Sequence, residues 1–187
     1  MTSGTNLTNH FLIAMPSLQD GNFSRTVTYI CDHSDGGAMG IVLNRPSDLQ
    51  LLDLLAQLEI DEGIPEKCLQ PIFIGGPVQV DRGFVLHSQD KDWESTVAIS
   101  DQIGITTSRD ILHSIAIGEG PEKSLIALGY AGWAAGQLES ELIANAWLNG
   151  PADLYTLFDK PADKRWDAAA RLLGVDLNLL SGETGHA

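Results

Sequence analysis

The amino-acid sequence predicts an α+β fold, and three observations favour that class. Short apolar runs typical of strands follow one another in clusters, whereas a doubly wound sheet would alternate strands and helices strictly. A few segments with helical spacing separate these clusters. The chain has 187 residues, enough to bury a sizeable core in one domain. We therefore expect residues 1–187 to form a single domain, with a flexible segment at 1–9 and a docked or loose tail at 175–187.

The first half of the chain predicts mainly strands. His10–Met15 is a short apolar run, and Thr26–His33 and Gly37–Leu43 flank an Asp-Gly step that favours a hairpin. Leu49–Leu58 predicts a helix because its leucines form one stripe, and Asp61–Gln70 predicts a polar loop. Further strands are expected, in chain order, at Pro71–Ile74, Gly83–His87 and Val97–Ser100.

The second half predicts one core strand, Ser124–Tyr130, and three helices. The first helix begins at Thr107, where Asp110 supplies an acidic cap, and ends at Gly118. The second is Gly136–Asn145, with acids in its first turns. The third opens at Pro161 and stops at Gly174.

The charge balance excludes one class of function. Eleven Lys and Arg residues stand against 25 Asp and Glu residues, which gives a formal net charge of −14. A non-specific nucleic-acid binder needs a basic surface, so direct contact with DNA or RNA is not expected. A local basic pocket remains compatible with this charge.

The sequence indicates a cytoplasmic protein without a membrane segment. The two cysteines are too few for a disulfide framework, and the N-terminus lacks the features of a secretory signal. The uncharged stretch Ser124–Leu138 has fifteen residues, whereas a membrane helix needs about 20. Cys31 is expected to be a buried, inert thiol, although a neighbouring His33 would activate it if both were accessible. Cys68, in the polar loop, is expected to be the more exposed thiol.

Familiar catalytic and cofactor motifs are missing from the sequence. It contains no phosphate-binding loop, no dinucleotide-binding glycine motif and no zinc or thioredoxin-like cysteine motif. Gly129–Trp133 has the outline of a nucleophile elbow but lacks the serine. We therefore expect no cofactor and no metal site.

Two segments place arginines beside turns. In the first, Pro46 keeps Arg45 extended and Asn44 can cap the turn, so the guanidinium is a candidate ligand for a carboxylate or phosphate. The simpler alternative is an ion pair with an acidic residue. The second segment begins with Gly75 and Gly76, which permit close approach of the backbone to a ligand or to a strand. Its arginine, Arg82, follows on the next strand.

The strand that follows carries further candidates. Asp81 and Arg82 are expected to pair across a turn, and His87 is a group that could titrate near neutrality. The simpler alternative is a hairpin with a partly buried imidazole.

Residues near the beginnings of two predicted helices are the last candidates for a binding site. Arg109 in a first turn opposes the helix dipole, which a bound anion or a salt bridge to Asp110 would relieve. Trp133 and Trp147 flank a helix with polar side chains, which predicts either a polar pocket, a protein interface or core packing. The candidate ligand-binding residues are Asn44, Arg45, Gly75, Gly76, Asp81, Arg82, His87, Gln137, Glu141 and Asn145.

Several motifs in register resemble the bacterial AlgH/YqgE family. The resemblance runs from His10 to Ala187 and leaves Met1–Asn9 and 59–70 unmatched. The segments that carry it are His10–Pro16, 37–46, Gly75–Val78, Asp81–His87, Gly129–Trp133, Gly136–Glu139, Asn145–Leu148 and Gly185–Ala187.

The resemblance implies a split, strongly bent β-sheet that forms a pseudo-barrel with helices packed outside. It also implies a cytosolic protein linked to the regulation of alginate production and described as a regulator of transcription. No catalytic residue or cofactor of the family can be carried over to this chain.

Three functions remain open at this point. The first is a regulatory or binding protein that acts through a protein partner or a small anionic ligand held by Arg45 and Arg82. The second is an enzyme of unknown reaction that uses His87, Asp81 or Cys31. The third is a regulator that binds DNA directly, which the net charge disfavours. The oligomeric state is left open.

Overall fold

The computed structural model describes residues 6–183. Within this range, ten strands form one strongly curled sheet, a half-barrel flanked by helices. The strands are β1 His10–Ala14, β2 Val27–Ser34, β3 Gly37–Val42, β4 Pro46–Gln50, β5 Pro71–Ile74, β6 Val78–Ser88, β7 Thr96–Ala98, β8 Ile103–Thr106, β9 Ser124–Ala134 and β10 Trp147–Pro151. The α-helices are α1 Leu51–Gln57, α2 Asp110–Ala116, α3 Gln137–Ile143, α4 Arg165–Leu172 and α5 Leu177–Glu183. Single helical turns lie at Pro65–Leu69, Tyr155–Asp159 and Ala162–Lys164.

Strand β9 is the centre of the sheet. The strand order is β10-β1-β2-β3-β9-β6-β8-β7, and β5 joins β9 in parallel while pairing with β4. The first part of β9 pairs with β5 and its last part pairs with β3, on the same edge. Strand β6 occupies the other edge of β9. The sheet therefore splits where β3 ends and β5 begins.

A glycine in the middle of β9 determines which residues face each side. Gly129 has a φ of 78°, which an L-residue rarely adopts. Before it, Leu125 and Ala127 belong to the inner core of the half-barrel; after it, Tyr130 packs against that core. The intervening Ile126 lies on the side covered by α1 and α2. This local inversion positions Tyr130 beside the open groove described below.

Three apolar clusters hold the elements together. The inner cluster contains Phe11, Tyr29, Phe84 and Leu125 and is joined by Leu177 of α5. Helices α1 and α2 bury their leucine and isoleucine stripes against the sheet, and α3 buries Leu138 against Trp133 and Leu12. Each such side chain contributes about 1.5–3 kcal/mol when fully buried. The apolar periodicity of the sequence thus identified faces that do pack.

The expected α+β class and the bent, split sheet are confirmed, and the first three strands and β5 lie close to their expected positions. Gly129–Trp133 is not a turn but part of β9. The expected helix at Thr107 begins at Asp110, and the one expected at Pro161 begins at Arg165 after a single helical turn. Strands β4, β8 and β10 were not expected, and β6 begins five residues earlier than its predicted start, Gly83.

The two chain ends are packed where the structure describes them. Leu7, in the segment expected to be flexible, is buried, and its N–H donates to Nδ1 of His33 over 2.9 Å. Leu177, in the expected tail, is 1% exposed. Residues 1–5 and 184–187, including the Gly185–Ala187 motif, lie outside the described residues. Among the helices within 6–183, none has the length and apolar character needed to cross a membrane.

Candidate functional site

A wide bulge in β6 is the structural origin of the candidate site. Val78 pairs with Tyr130 and Gly83 pairs with Leu128, so residues 79–82 have only Gly129 opposite them on β9. Gln79 adopts a φ of 47° at the start of this bulge. Consecutive side chains in extended backbone point to opposite faces. Asp81 and Arg82 accordingly line different depressions of the surface.

The first depression, which we call the groove, lies across β3, β9 and β6 and has a volume of about 600 Å³. The Arg82 guanidinium lies 5.3 Å from the ring centre of Phe84, and Phe84 meets Tyr130 edge-on at 5.7 Å. Nη1 of Arg82 donates to Oε1 of Gln79 over 3.3 Å. The groove is lined by Ala38, Met39, Val78, Arg82, Phe84, Tyr130, Gly132 and Trp133.

Gly132 forms an open part of the groove floor. A Cβ added there would meet its nearest neighbour, Cε2 of Tyr130, at 3.4 Å, which is ordinary van der Waals contact. The φ of Gly132 is not in the left-handed region. A larger residue at this position would therefore fill the groove without disturbing the sheet.

The second depression, which we call the helix-side pocket, has a volume of about 190 Å³ and lies between the sheet and helices α1 and α2. Asp81 and Arg109 contribute its charged groups. The pocket is lined by Leu54, Leu58, Asp81, Gly83, Phe84, Val85, Thr106, Thr107, Ser108, Arg109, Leu112, Ile126 and Leu128.

Asn44 and Arg45 hold the loop that follows β1. The Asn44 amide accepts from the Val27 N–H and donates to the Arg25 carbonyl. The Arg45 guanidinium donates to the carbonyls of Gly21, Asn22 and Ser24 at 3.1, 2.5 and 2.9 Å. These three main-chain oxygens explain the position of Arg45 without an anion or an acidic partner. The side chain also lines a cavity of about 250 Å³.

Gly75 and Gly76 both approach a strand closely, and Gly76 also lines the cavity to which Arg45 contributes. A Cβ at Gly75 would lie 2.3 Å from the Gly129 carbonyl oxygen, and one at Gly76 would lie 2.1 Å from the Tyr130 carbonyl carbon. Gly76 also has a φ of 156°. Backbone contact with β9 therefore explains this glycine pair.

His87 is fully buried on the side of β6 that faces α2. Its Nδ1 lies 2.8 Å from the Ser88 carbonyl, and its Nε2 lies 2.8 Å from Oγ1 of Thr106. Since the carbonyl accepts, Nδ1 carries the proton and Nε2 accepts from the Thr106 hydroxyl. Burial lowers the pKa of His87 below its ordinary value, and the Ser88 carbonyl opposes this shift in part. The imidazole is neutral and structural.

Gln137 and Glu141 belong to an aromatic cluster on the far side of β9. One Glu141 oxygen accepts from the indole N–H groups of Trp133 and Trp147, each at 2.9 Å, and the other accepts from the Gln137 amide. Asn145 is exposed, with a φ of 60° in the turn after α3. These three residues do not join Arg45 or Arg82 in any of the four cavities described for residues 6–183.

The expected pairing of Asp81 with Arg82 does not occur. The Arg82 guanidinium donates to Gln79, and the Asp81 carboxylate faces the helix-side pocket. Among the ten candidates, Arg82 alone lines the groove. No pattern in the sequence distinguishes Met39, Phe84 or Tyr130, because isolated apolar residues in strands are typical of any core.

The candidate catalytic groups are scattered. Asp81, His87 and Cys31 do not share any of the four cavities described for residues 6–183. Burial, with a smaller contribution from Asp32, raises the pKa of the Cys31 thiol far above its ordinary value. Cys68 was expected to be exposed, but it is 2% exposed because the turn at Pro65–Leu69 buries it against α1 and α2. The described residues also contain no cluster of three or more His, Cys, Asp or Glu side chains suited to a metal ion.

We expect Arg45→Ala to destabilise the protein and Arg82→Ala to leave its stability nearly unchanged. Charge-assisted hydrogen bonds contribute about 1.5–3 kcal/mol each, although loss of one side chain is not additive over them. The Arg45 variant should lose about 2–3 kcal/mol, or roughly 5–10 °C in Tm, in a calorimetric scan. Equal melting temperatures for the two variants would show that the loop clamp is unimportant.

The buried His87 makes stability fall with acidification. Its pKa is depressed in the folded state, so the unfolded chain binds the proton first as pH drops below about 6.5. Wild-type stability should decline between pH 7 and 5 by up to about 1.4 kcal/mol per pH unit from this group. Urea titrations should give a shallower pH dependence for His87→Gln, whatever its absolute stability. Identical slopes for both proteins would contradict this account.

Both thiols should be unreactive in the native protein. Cys31 is 9% exposed and Cys68 is 2% exposed, so a thiol reagent should modify neither at pH 8 and both in guanidinium chloride. The Cys68→Ser variant identifies which thiol reacts. Rapid modification of one native thiol would place that cysteine at the surface.

Comparisons with known proteins agree with the fold and the motifs. The family model described as "DUF179: AlgH-like" matches residues 11–178. A UPF0301 protein of Thioalkalivibrio sulfidiphilus is 56% identical over 187 residues, which cover 100% of both chains. A UPF0301 protein of Stutzerimonas stutzeri is 54% identical and covers 100% of this chain and 98% of its own length.

Solved structures give the same result. The solution structure of the AlgH protein from Pseudomonas aeruginosa has a TM-score of 0.80 and 54% identity, covering 100% of this chain and 99% of that one. A Corynebacterium diphtheriae protein, at 22% identity and a TM-score of 0.76, covers 97% of this chain and 94% of its own and shares the fold. From the family match and these high identities over the full length, the chain belongs to the AlgH-like family.

Proposed function

We propose that this protein is a binding protein whose groove receives a segment of a partner protein that carries a carboxylate between apolar side chains. One observation carries the proposal. The Arg82 guanidinium lies on the ring of Phe84 at the mouth of an open aromatic groove, with one 3.3 Å hydrogen bond to Gln79 as its only hydrogen bond among the described residues.

The side chains of the groove favour a protein partner over a small molecule. Tyr, Met and Arg are enriched in the cores of protein interfaces, and the groove presents all three in Tyr130, Met39 and Arg82. A small-molecule site would enclose most of its ligand, whereas this groove is open across three strands. An extended or turn segment that lays one apolar side chain on Gly132 fits the open floor.

The charge of the chain limits what the partner can be. A net charge of −14 repels a uniformly acidic surface at long range. The partner therefore presents a carboxylate to Arg82 at close range, while the rest of its contact surface is neutral or basic. Regulation of transcription, which the family resemblance implies, would then pass through this partner in the cytoplasm and not through direct contact with DNA.

A peptide-display selection tests the proposal. Peptides selected on the wild-type protein should contain Asp or Glu next to apolar residues. Arg82→Gln should weaken their binding roughly ten- to a hundredfold, since a hydrogen bond to a charged group contributes about 1.5–3 kcal/mol. Gly132→Val should abolish binding by filling the floor, without lowering Tm.

Lys164→Gln is the matched control, because it removes one positive charge from an exposed position away from the groove. Peptide affinity should be unchanged in this variant. If selected peptides bind the Arg82 and Gly132 variants as tightly as the wild type, the groove is not the binding surface.

A further inference from the structure

We propose that the helix-side pocket is a separate site for a small carboxylic acid with an apolar body, and that Arg109 binds the carboxylate. The pocket shares only Phe84 with the lining of the groove. It lies on the face of β6 and β9 that α1 and α2 cover, where Val85 and Ile126 point, whereas Tyr130 packs on the inner core. Its ligand needs no partner protein.

The walls of the pocket are apolar on three sides. Leu54 comes from α1 and Leu58 directly follows that helix. Leu112 comes from α2, and Ile126 and Leu128 come from β9. The buried or partly buried leucines of α1 and α2 pack in one cluster, so the walls are held by the core and are preformed. Such walls favour a hydrocarbon group over a polar ligand.

The hydroxyl groups of the threonines and the serine that line the pocket already form hydrogen bonds within the protein. Oγ1 of Thr106 bonds to His87 and Thr96, and Oγ1 of Thr107 bonds to Oγ of Ser95. Ser108 donates to Asp110 and accepts from the Ser95 N–H. These groups have little capacity left for a ligand.

The Arg109 guanidinium is different. The other five arginines each have a side-chain hydrogen bond, an ion pair or an aromatic ring: Arg25, Arg45, Arg82, Arg165 and Arg171. Among the residues 6–180, whose side chains the structure describes, Arg109 has none of these, although Asp110 is adjacent. Asp110 is occupied instead by Ser108 and by the Glu94 N–H. A planar guanidinium beside an apolar pocket suits a carboxylate, which it can bind through two parallel hydrogen bonds.

The size of the pocket limits the ligand. A volume of about 190 Å³ is below the roughly 300 Å³ at which drug-sized sites begin. At about 30 Å³ for each water molecule, it holds a body of roughly six non-hydrogen atoms. A short branched acid fits this space, and a nucleotide does not.

Asp81 distinguishes two sources of such an acid. Its carboxylate also has no hydrogen bond or ion pair among the residues that the structure describes. An α-amino acid such as leucine places an ammonium group next to its carboxylate, which Asp81 would attract. A simple acid such as 4-methylpentanoate has the same apolar body and carboxylate without that group. Both share the chemistry that Arg109 and the walls recognise.

The test is a titration of ¹⁵N-labelled full-length protein followed by heteronuclear NMR. 4-Methylpentanoate, leucine and 4-methylpentan-1-ol are added separately. At least one of the two acids should cause saturable shifts in α1, α2 and β8, and the alcohol should bind roughly tenfold or more weakly. Equal binding of the alcohol, or no saturable shift with either acid, overturns the proposal.

Single substitutions distinguish binding in the helix-side pocket from binding in the groove. Arg109→Gln should weaken the acid roughly tenfold or more, at unchanged Tm because the side chain has no partner to lose. Arg82→Gln removes the same charge from the groove and should leave the acid affinity unchanged. If leucine binds more tightly than 4-methylpentanoate and Asp81→Asn removes the difference, the ligand is an amino acid; equal affinities identify a simple acid. Retention of full affinity by Arg109→Gln contradicts the assignment.

Discussion

The contact between the turn at Gly75–Gly76 and the middle of β9 is the constraint on which the rest of the structure depends. Main chain meets main chain there, at distances that leave no room for a Cβ on Gly76 or Gly129. Because the turn comes so close, β5 can take over the edge of β9 from β3 and split the sheet. Next to this contact, four residues of β6 lie opposite one residue of β9, and Asp81 and Arg82 both belong to that bulge.

The sequence predicted the class of fold and the strands whose apolar pattern and turns are local. The hairpin of β2 and β3 is an example, since its Asp-Gly step and alternation lie within the same stretch of chain. Strand β10 is the opposite case. It follows directly on α3, contains glycine and proline, and is a strand because it pairs with β1 from the other end of the chain. Gly129–Trp133 predicted a turn because glycines usually mark turns, whereas here they allow close packing between strands.

The candidate site residues show a similar limit of prediction from sequence. Arg45 and Arg82 both follow or occupy turn-like segments, and the sequence could not distinguish them. Arg45 is occupied by main-chain carbonyls, which any residue provides and which therefore leave no trace in the sequence. Arg82 stays available because its side chain points to the face opposite Asp81 and makes one hydrogen bond, to Gln79. Burial likewise turned His87 and Cys31, two reactive residue types, into structural groups with shifted pKa values.

The pairing of β1 with β10 also determines when the chain can complete its folding during synthesis. Trp166 donates to the Ala14 carbonyl across 152 positions, and Arg165 donates to the Leu43 carbonyl across 122. A ribosome must therefore release most of the polypeptide before the first strand gains its second neighbour. Until then, the edge of β1 and the inner core side chains are open to other nascent chains, which makes this interval the one in which a chaperone would matter most.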